Sequence, residues 1–515
     1  MNTLLKSATL LFLLFFTYSI SFGQQFITKV QGKIESARNK STVVISIAGI
    51  DNTSVLIELG KKNGVISILD PKLNLINSLQ VDDCPYFDKF PVLLGGISLD
   101  ENSYVVFFTN HSKKAFCSWK IDLKNGMSQY EIPTQIGSEK YIESFDNNHR
   151  FFIMTYEKGK SADEIKVWAF LNEKDPKISQ FTFDHTPANK EKIEFLRDAL
   201  INNDKIKIGK ISPSVPNTIG NTHYRSKLYF SGDSILITYD RHECSIWTLN
   251  IKNGTWNYKT FGVEDEFKNF NSSDQNQNRK NSSVRYNSFI DQIHGRIYLG
   301  ALYADSLIIR IKSLNSGASL QKFSINKNSP IGFNNTDILQ KKNFGGGRLG
   351  IATNFQRTLE DPAQLLRKMN NGQLALAVNT YGEKDSLELT IGSYTELNSN
   401  GTDKGSFQAA ISYIPISGGT AGYVLDASLE NLLNQNYQNF KNSKVAYFKT
   451  LLNSNSLIHI SGPVRSSVFE KIQSFEREVL VSQPIGMTLF PHKNYLVYGY
   501  YDRRNNEYPL LRFDY

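Results

Sequence analysis

Asp240, Arg241, His242, Glu243 and Cys244 follow one another in YDRHECS, from Tyr239 to Ser245, and no other stretch gathers as many chemically able side chains. A carboxylate, an imidazole and a thiol are the raw material of acid–base catalysis, nucleophilic attack and zinc binding. The spacing argues against all three. Consecutive residues cannot bring His242, Glu243 and Cys244 onto one metal ion without contorting the backbone, because zinc ligands are generally spaced by two or more residues. The run stands between the apolar stretches SILITY and SIWTLN. It therefore reads as a hairpin tip, with Arg241 and His242 offered to solvent as possible ligand contacts.

Other motifs fail in a similar way. GGGRLG, from Gly345 to Gly350, fits the dinucleotide pattern GxGxxG but has no strand–helix–strand unit around it, so it reads as a loop. No HExxH pair, P-loop, GxSxG elbow or calcium loop is present. These readings predict no metal and no cofactor. A glycosidase needs two facing carboxyls, for which Asp240, Glu243, Asp305, Glu383, Asp385 and Asp502 are loop candidates. A second asymmetry is basic: the loops GKKNG and NHSKKA carry Lys61, Lys62, His111, Lys113 and Lys114 without an acid, and Arg503 and Arg504 stand near the C-terminus.

The elements that hold these loops repeat. SVLIELGKKNGVISILD, SYVVFFTNHSKKAFCSWKIDL, RFFIMTYEKGKSADEIKVWAFL, SILITYDRHECSIWTLNI, RIYLGALYADSLIIRIKSL, QLALAVNTYGEKDSLELTIGSY and YLVYGYYDRRNNEYPLLRFDY are each two apolar strands joined by a short polar loop. Asn and Gly clusters flank most of them, and these residues suit tight turns because they tolerate positive φ. Nearly continuous apolar runs such as VVFF and LIIRI suit strands covered on both faces. The unit is a four-stranded meander, repeated seven times.

Meanders repeated around a ring resemble the β-propeller class in general, with no WD or kelch signature. The resemblance implies an all-β fold, a single propeller over 24–515 with seven four-stranded blades. QFITKVQGKIES, Gln25 to Ser36, would close the last blade. Extra sequence at 184–222, 262–285, 326–350 and 395–490 reads as insertions, the last of which could also hide an eighth blade. NKEKIEFLRDALIN and SLENLLNQNYQNF have helical periodicity, whereas NFNSSDQNQNRKNSS reads as disordered.

Residues 1–23 have the layout of a signal peptide: Lys6, an apolar run from Ala8 to Phe16, then Ser21 to Gly23. The SFGQ ending resembles signal peptides of secreted Bacteroidota proteins. The mature chain is expected outside the cytoplasm, secreted or periplasmic, with no later transmembrane helix. Net charge is +9, from 58 basic and 49 acidic residues spread along the chain, with no basic run to grip nucleic acid. Three cysteines, Cys84, Cys117 and Cys244, make no disulfide scaffold, although a Cys84 to Cys117 bridge is conceivable.

These observations lead to three functional expectations. The first is a non-catalytic binding or scaffold propeller that meets an envelope protein or anionic glycan through its loop-rich face. Lys61, Lys62, His111, Lys113, Lys114, Arg241, His242, Arg503 and Arg504 would form its site. The second is a propeller enzyme acting on polysaccharide, a hydrolase or lyase. The third is an outer-membrane β-barrel, from the alternation of Leu511, Phe513 and Tyr515 at the C-terminus.

Overall fold

The computed structural model describes residues 24–31, 43–50, 52–59, 64–81, 89–147, 150–170, 176–201, 207–263, 284–303, 305–344, 353–380, 385–396, 424–425, 429–441, 443–480, 484–502, 504–505 and 507–515. The chain is all-β with a few short helices, and its contacts divide it into two compact units. One unit is built from 1–84 with 465–515, the other from 85–464. The strands form seven sheets of four or five strands among the described residues.

The first unit holds two of them. Sheet one is the meander Val43–Ala48, Ser54–Leu59, Gly64–Leu69, Leu75–Val81. Sheet seven is the hairpin series Ile485–His492, Tyr495–Tyr501, Glu507–Asp514, extended by the N-terminal strand Gln24–Gln31, which pairs antiparallel with the last strand from Gln24 opposite Phe513 to Gln31 opposite Glu507. The strand Ser54–Leu59 is buried at every position, whereas the outermost strand Leu75–Val81 is mostly exposed. The continuous apolar run in SVLIEL is explained by cover on both faces. Leu56, Leu69 and Val44 of sheet one pack against Phe490, Val497, Tyr508 and Leu510 of sheet seven.

The second unit holds the other five. Sheet two is Val92–Ser98, Ser103–Thr109, Ala115–Asp122, Met127–Gln135, and sheet three is Lys140–Asn147, Arg150–Lys158, Ala162–Phe170, Lys177–Asp184. Sheet four runs Ser226–Ser231, Ser234–Asp240, Cys244–Asn250, Thr255–Phe261, and sheet five Arg285–Asp291, Arg296–Tyr303, Ser306–Ser313, Ser319–Asn326. Neighbouring sheets pack face to face. The rings of Phe107 in sheet two and Phe151 in sheet three stack at 4.1 Å, and Ile165 and Met154 of sheet three share a core with Ile237 and Trp247 of sheet four. Gly232 and Gly295 sit in hairpin turns at φ 56° and 63° with open space around them, so the backbone angle alone calls for glycine there.

Sheet six departs from the meander. Gln373–Thr380 and Ser386–Glu396 pair as expected, but the next strands are Ser443–Asn453, Ile338–Phe344 and Thr353–Leu359. Part of the sequence read as insertions at 326–350 and 395–490 thus supplies strands of the sheet itself. Other extra sequence adds edge strands: Ile208–Ile211 pairs parallel with Ser226–Tyr229 in sheet four, and Val424–Leu425 adds a parallel strand to sheet two.

Among the described residues there are five α-helices: α1 Lys190–Leu200, α2 Ile219–Thr222, α3 Pro362–Asn371, α4 Leu429–Lys441 and α5 Val468–Glu478. Both segments with helical periodicity are helices. Helices α3 and α5 lie where none was expected, α3 started by the Asp361 cap and Pro362, α5 by the Ser467–Glu470 capping box. The Asn/Ser-rich stretch, residues 269–283, lies outside the described residues, as does Gly345 to Gly350. No described helix is long and apolar enough to cross a membrane. A membrane barrel requires one closed sheet, and seven separate sheets correct that expectation.

Candidate functional site

The opening cluster splits in two. Arg241 and His242 are exposed, with the Arg241 guanidinium 5.3 Å from the Phe195 ring centroid of α1. Asp240 and Cys244, directly opposite each other at the ends of paired strands, point inward and are shut off from solvent. Asp240 Oδ2 accepts from the buried Lys227 ammonium at 2.8 Å and from the Ser288 amide of sheet five at 2.8 Å. Burial drives the Cys244 thiol well above its ordinary pKa, and its Sγ lies 3.2 Å from Ser288 Oγ. A protonated, enclosed thiol is no nucleophile. This end of the hairpin is a clasp between sheets four and five.

A second buried acid ties down a helix. Arg197 of α1 grips Asp163 with two hydrogen bonds, 2.6 and 2.8 Å, while Tyr156 donates to the same carboxylate and His185 Nε2 lies 2.9 Å from it. Burial opposes the charge of Asp163, but the bonds from Arg197, Tyr156 and His185 prevail and lower its pKa to about 2. His185 Nδ1 is 3.0 Å from the Lys160 carbonyl, so both ring nitrogens are engaged and neither is offered to a substrate. Glu388 and Lys449 form a third enclosed pair at 3.3 Å.

The basic loop residues are largely spoken for. The Lys114 ammonium donates to the carbonyls of Gly137 and Glu139, and Lys113 lies over the Tyr141 ring at 4.6 Å. His111 and Arg504 are exposed; Lys61, Lys62 and Arg503 lie outside the described residues. Of the acids considered, Asp305 pairs with Lys327, the Asp502 side chain caps the amide of Arg504, and Glu383 is outside the described residues. Cys84 is also outside them, while Cys117 is buried.

The residues that Lys114 leans on open the most chemically capable arrangement in the chain. At the hairpin end of sheet three, where it faces sheet two, three glutamates surround the Lys166 ammonium: Glu139 at 2.7 Å, Glu157 at 3.2 Å and Glu164 at 3.9 Å. The nearest oxygens of Glu139 and Glu157 therefore lie no more than about 6 Å apart. Glu139 is nearly buried, whereas Glu157 and Glu164 keep 33% and 29% of their side-chain surface exposed.

The arrangement is wired. Trp168 Nε1 donates to Thr155 Oγ1 at 3.1 Å, Thr155 donates to Glu139, Lys166 bridges Glu139 to Glu157, and Ser138 donates to Glu157. The Ser138 hydroxyl and the Lys166 ammonium hold the Glu157 carboxyl below its ordinary pKa. Burial works against the charge of Lys166, but its bonds to Glu139 and Glu157 outweigh that and keep its pKa raised. Glu157 and Glu164 stand directly opposite each other across the strand pair. Like charges in that position cost stability. Three carboxylates on one ammonium also leave the site with surplus negative charge. Among the described residues no three His, Cys, Asp or Glu side chains stand together in a way that would hold a metal ion.

No protein-family model and no curated protein matches the sequence. Among solved structures the chain is similar to a point mutant of the Synechocystis apocarotenoid oxygenase, with 7% identity and a TM-score of 0.27 over 62% of this chain and 64% of that one. It is also similar to an ACO/RPE65 chimera, with 8% identity and a TM-score of 0.25 over 53% of this chain and 58% of the other. The chain thus spans about three fifths of the length of these structures. These structures are of an apocarotenoid oxygenase and of a chimera built with it, which runs against the expected non-catalytic binding scaffold, and that expectation is withdrawn. At these TM-scores the likeness carries no residue, cofactor or reaction over to this chain.

Proposed function

We propose that the chain is an exported seven-bladed β-propeller enzyme acting on a glycan, its last blade closed by the N-terminal strand. Seven sheets, six of them running through consecutive hairpin-linked strands, support the ring, as does the pairing of Gln24–Gln31 with Glu507–Asp514. The signal-peptide layout of residues 1–23 supports export.

One observation carries the activity: accessible carboxylates crowded around Lys166 at the end of sheet three. Glycoside hydrolysis needs one carboxylate to attack or to activate water and a second carboxyl to protonate the leaving oxygen. Glu157, held ionised by Ser138 and Lys166, suits the first role, and Glu164 opposite it suits the second. Glu139, Thr155 and Lys166 position them, and the partly buried Trp168, packed on the core between sheets two and three, anchors Thr155.

The test is release of reducing ends from a panel of soluble polysaccharides. Glu157→Gln and Glu164→Gln should each lower turnover by about a thousandfold, with circular dichroism unchanged. A wild-type protein that cleaves no polymer in the panel, or glutamine variants that cleave at the wild-type rate, would overturn the reading.

A further inference from the structure

Glu58 has no counterpart to the cations that answer the other enclosed acids. Asp163 has Arg197, Asp240 has Lys227 and Glu388 has Lys449. Glu58, on the strand Ser54–Leu59, is 1% exposed, and its Oε1 makes no hydrogen bond. No cation pairs with it among the described residues. Its strand neighbours on the same face are Val44, Leu56 and Val65, and that face packs against sheet seven within the first unit.

The groups facing it cannot neutralise a negative charge. Val44 and Val65 flank it on its own sheet, and the strands that carry them, Val43–Ala48 and Gly64–Leu69, contain no ionisable side chain. Across the seam Glu507–Asp514 presents Tyr508 and, at its far end, Arg512, whose guanidinium lies over the Tyr495 ring at 4.3 Å and is held by Asp514 at 2.7 Å; Tyr495–Tyr501 presents Tyr495 and Tyr501, Ile485–His492 presents His492 beside the Pro71 carbonyl, and the N-terminal strand presents Val30. Burial holds Tyr508 and Tyr495 protonated and holds His492 below its ordinary value. The polar atoms of the seam are hydroxyls: Ser46, Ser67 and Thr488, each buried and without a hydrogen bond. Hydroxyls accommodate a neutral carboxylic acid, whereas a carboxylate shut in with them and with no cation carries an unrelieved desolvation cost.

We infer that Glu58 is a proton-operated latch in the first unit: as the neutral acid it lets sheets one and seven close on each other, and on losing its proton it loosens them. Burial raises its pKa from 4.5 to about 7. The sign follows from the raised value. Stability given by the neutral buried acid is complete below about 4.5, where the unfolded chain is protonated too, and is lost as pH rises through about 7. The inference is independent of the glycan reading, because Glu58 and the sheet-three carboxylates lie in different units.

The experiment is thermal unfolding of the mature chain from about pH 5 to about pH 9, for wild type and Glu58→Gln. The wild-type midpoint should fall through this window, the variant should stay level, and at the alkaline end the variant should melt several degrees higher. Superimposable profiles would overturn the latch. Should Glu58→Gln fail to fold, the carboxyl carbon resonance of Glu58 in the wild type decides: a midpoint near 7 supports the latch, and one near 4.5 overturns it.

Discussion

The ammonium of Lys227 donates to Asp240 Oδ2 across 2.8 Å, and neither side chain reaches solvent. Because Asp240 also accepts the Ser288 amide, this pair pins sheet four to sheet five. Removing one member strands the other: Asp240→Leu should cost about 3–5 kcal/mol in urea unfolding. Lys227→Met combined with Asp240→Leu should recover much of that loss, because two apolar groups need no partner. A double variant as unstable as the single one would show that the charges are not what couples the sheets.

Cys244 reports on the same clasp. Enclosed, with its pKa driven up, it should resist a thiol reagent in the native chain and react on unfolding. Asp240→Leu should bring that reaction forward to lower urea. Rapid labelling of native Cys244, read by mass spectrometry of the labelled peptide, would contradict the enclosure.

Acid should find Asp163 late. Its lowered pKa means that its contribution to stability is full above its ordinary 3.8 and is lost as pH falls through about 2. Arg197→Met removes the guanidinium that holds it down and unhooks α1 from sheet three. The acid unfolding midpoint, followed by circular dichroism, should then rise by about one pH unit. An unmoved midpoint would mean that α1 is held by its apolar face, Ile193, Leu196 and Ala199, alone.

Glu157 facing Glu164 is a poor choice for stability and a suitable one for chemistry. Glu164→Gln removes the like charge opposite Glu157 together with the most distant partner of Lys166, and should leave stability within about 1 kcal/mol of the wild type. The same change should abolish glycan cleavage. Loss of stability in this variant, measured by calorimetry, would indicate that the carboxylates are structural supports.

Deleting Gln24–Gln31 should expose the edge of Glu507–Asp514 along the whole register and sharply lower the melting temperature. An unchanged melting curve would dispose of the closing role given to the N-terminal strand.

Much of this architecture was legible in the sequence. Seven apolar strand pairs stood out because strands covered on both faces need nearly unbroken apolar runs, and all seven pair as read. Sheet six was misread because nothing local to Ile338–Phe344 tells it to seek Ser443–Asn453, more than ninety residues on. The starts of α3 and α5 were written plainly in Asp361–Pro362 and in Ser467 with Glu470, signals that the strand pattern overshadowed. In the opening cluster Asp240 ends a strand buried on both faces, so the acid is enclosed whichever face it takes. Attention to the loop obscured it. Glu157 and Glu164 could have been matched by counting outward from their hairpin, whereas Glu139 reaches them only through the packing of three strands.

The pairing of Gln24 with Phe513 has a consequence in time. The first partner leaves the ribosome long before the second, so sheet seven stays incomplete until Glu507–Asp514 has emerged. Sheets two to five, whose hairpins join neighbours in sequence, can form as they emerge, and contacts between close neighbours form fastest. The first unit must then wait with its N-terminal strand uncommitted and the partner strand unmade. A chain of this design is exposed to aggregation until Glu507–Asp514 has emerged, and a chaperone that shelters residues 24–31 until then would protect it.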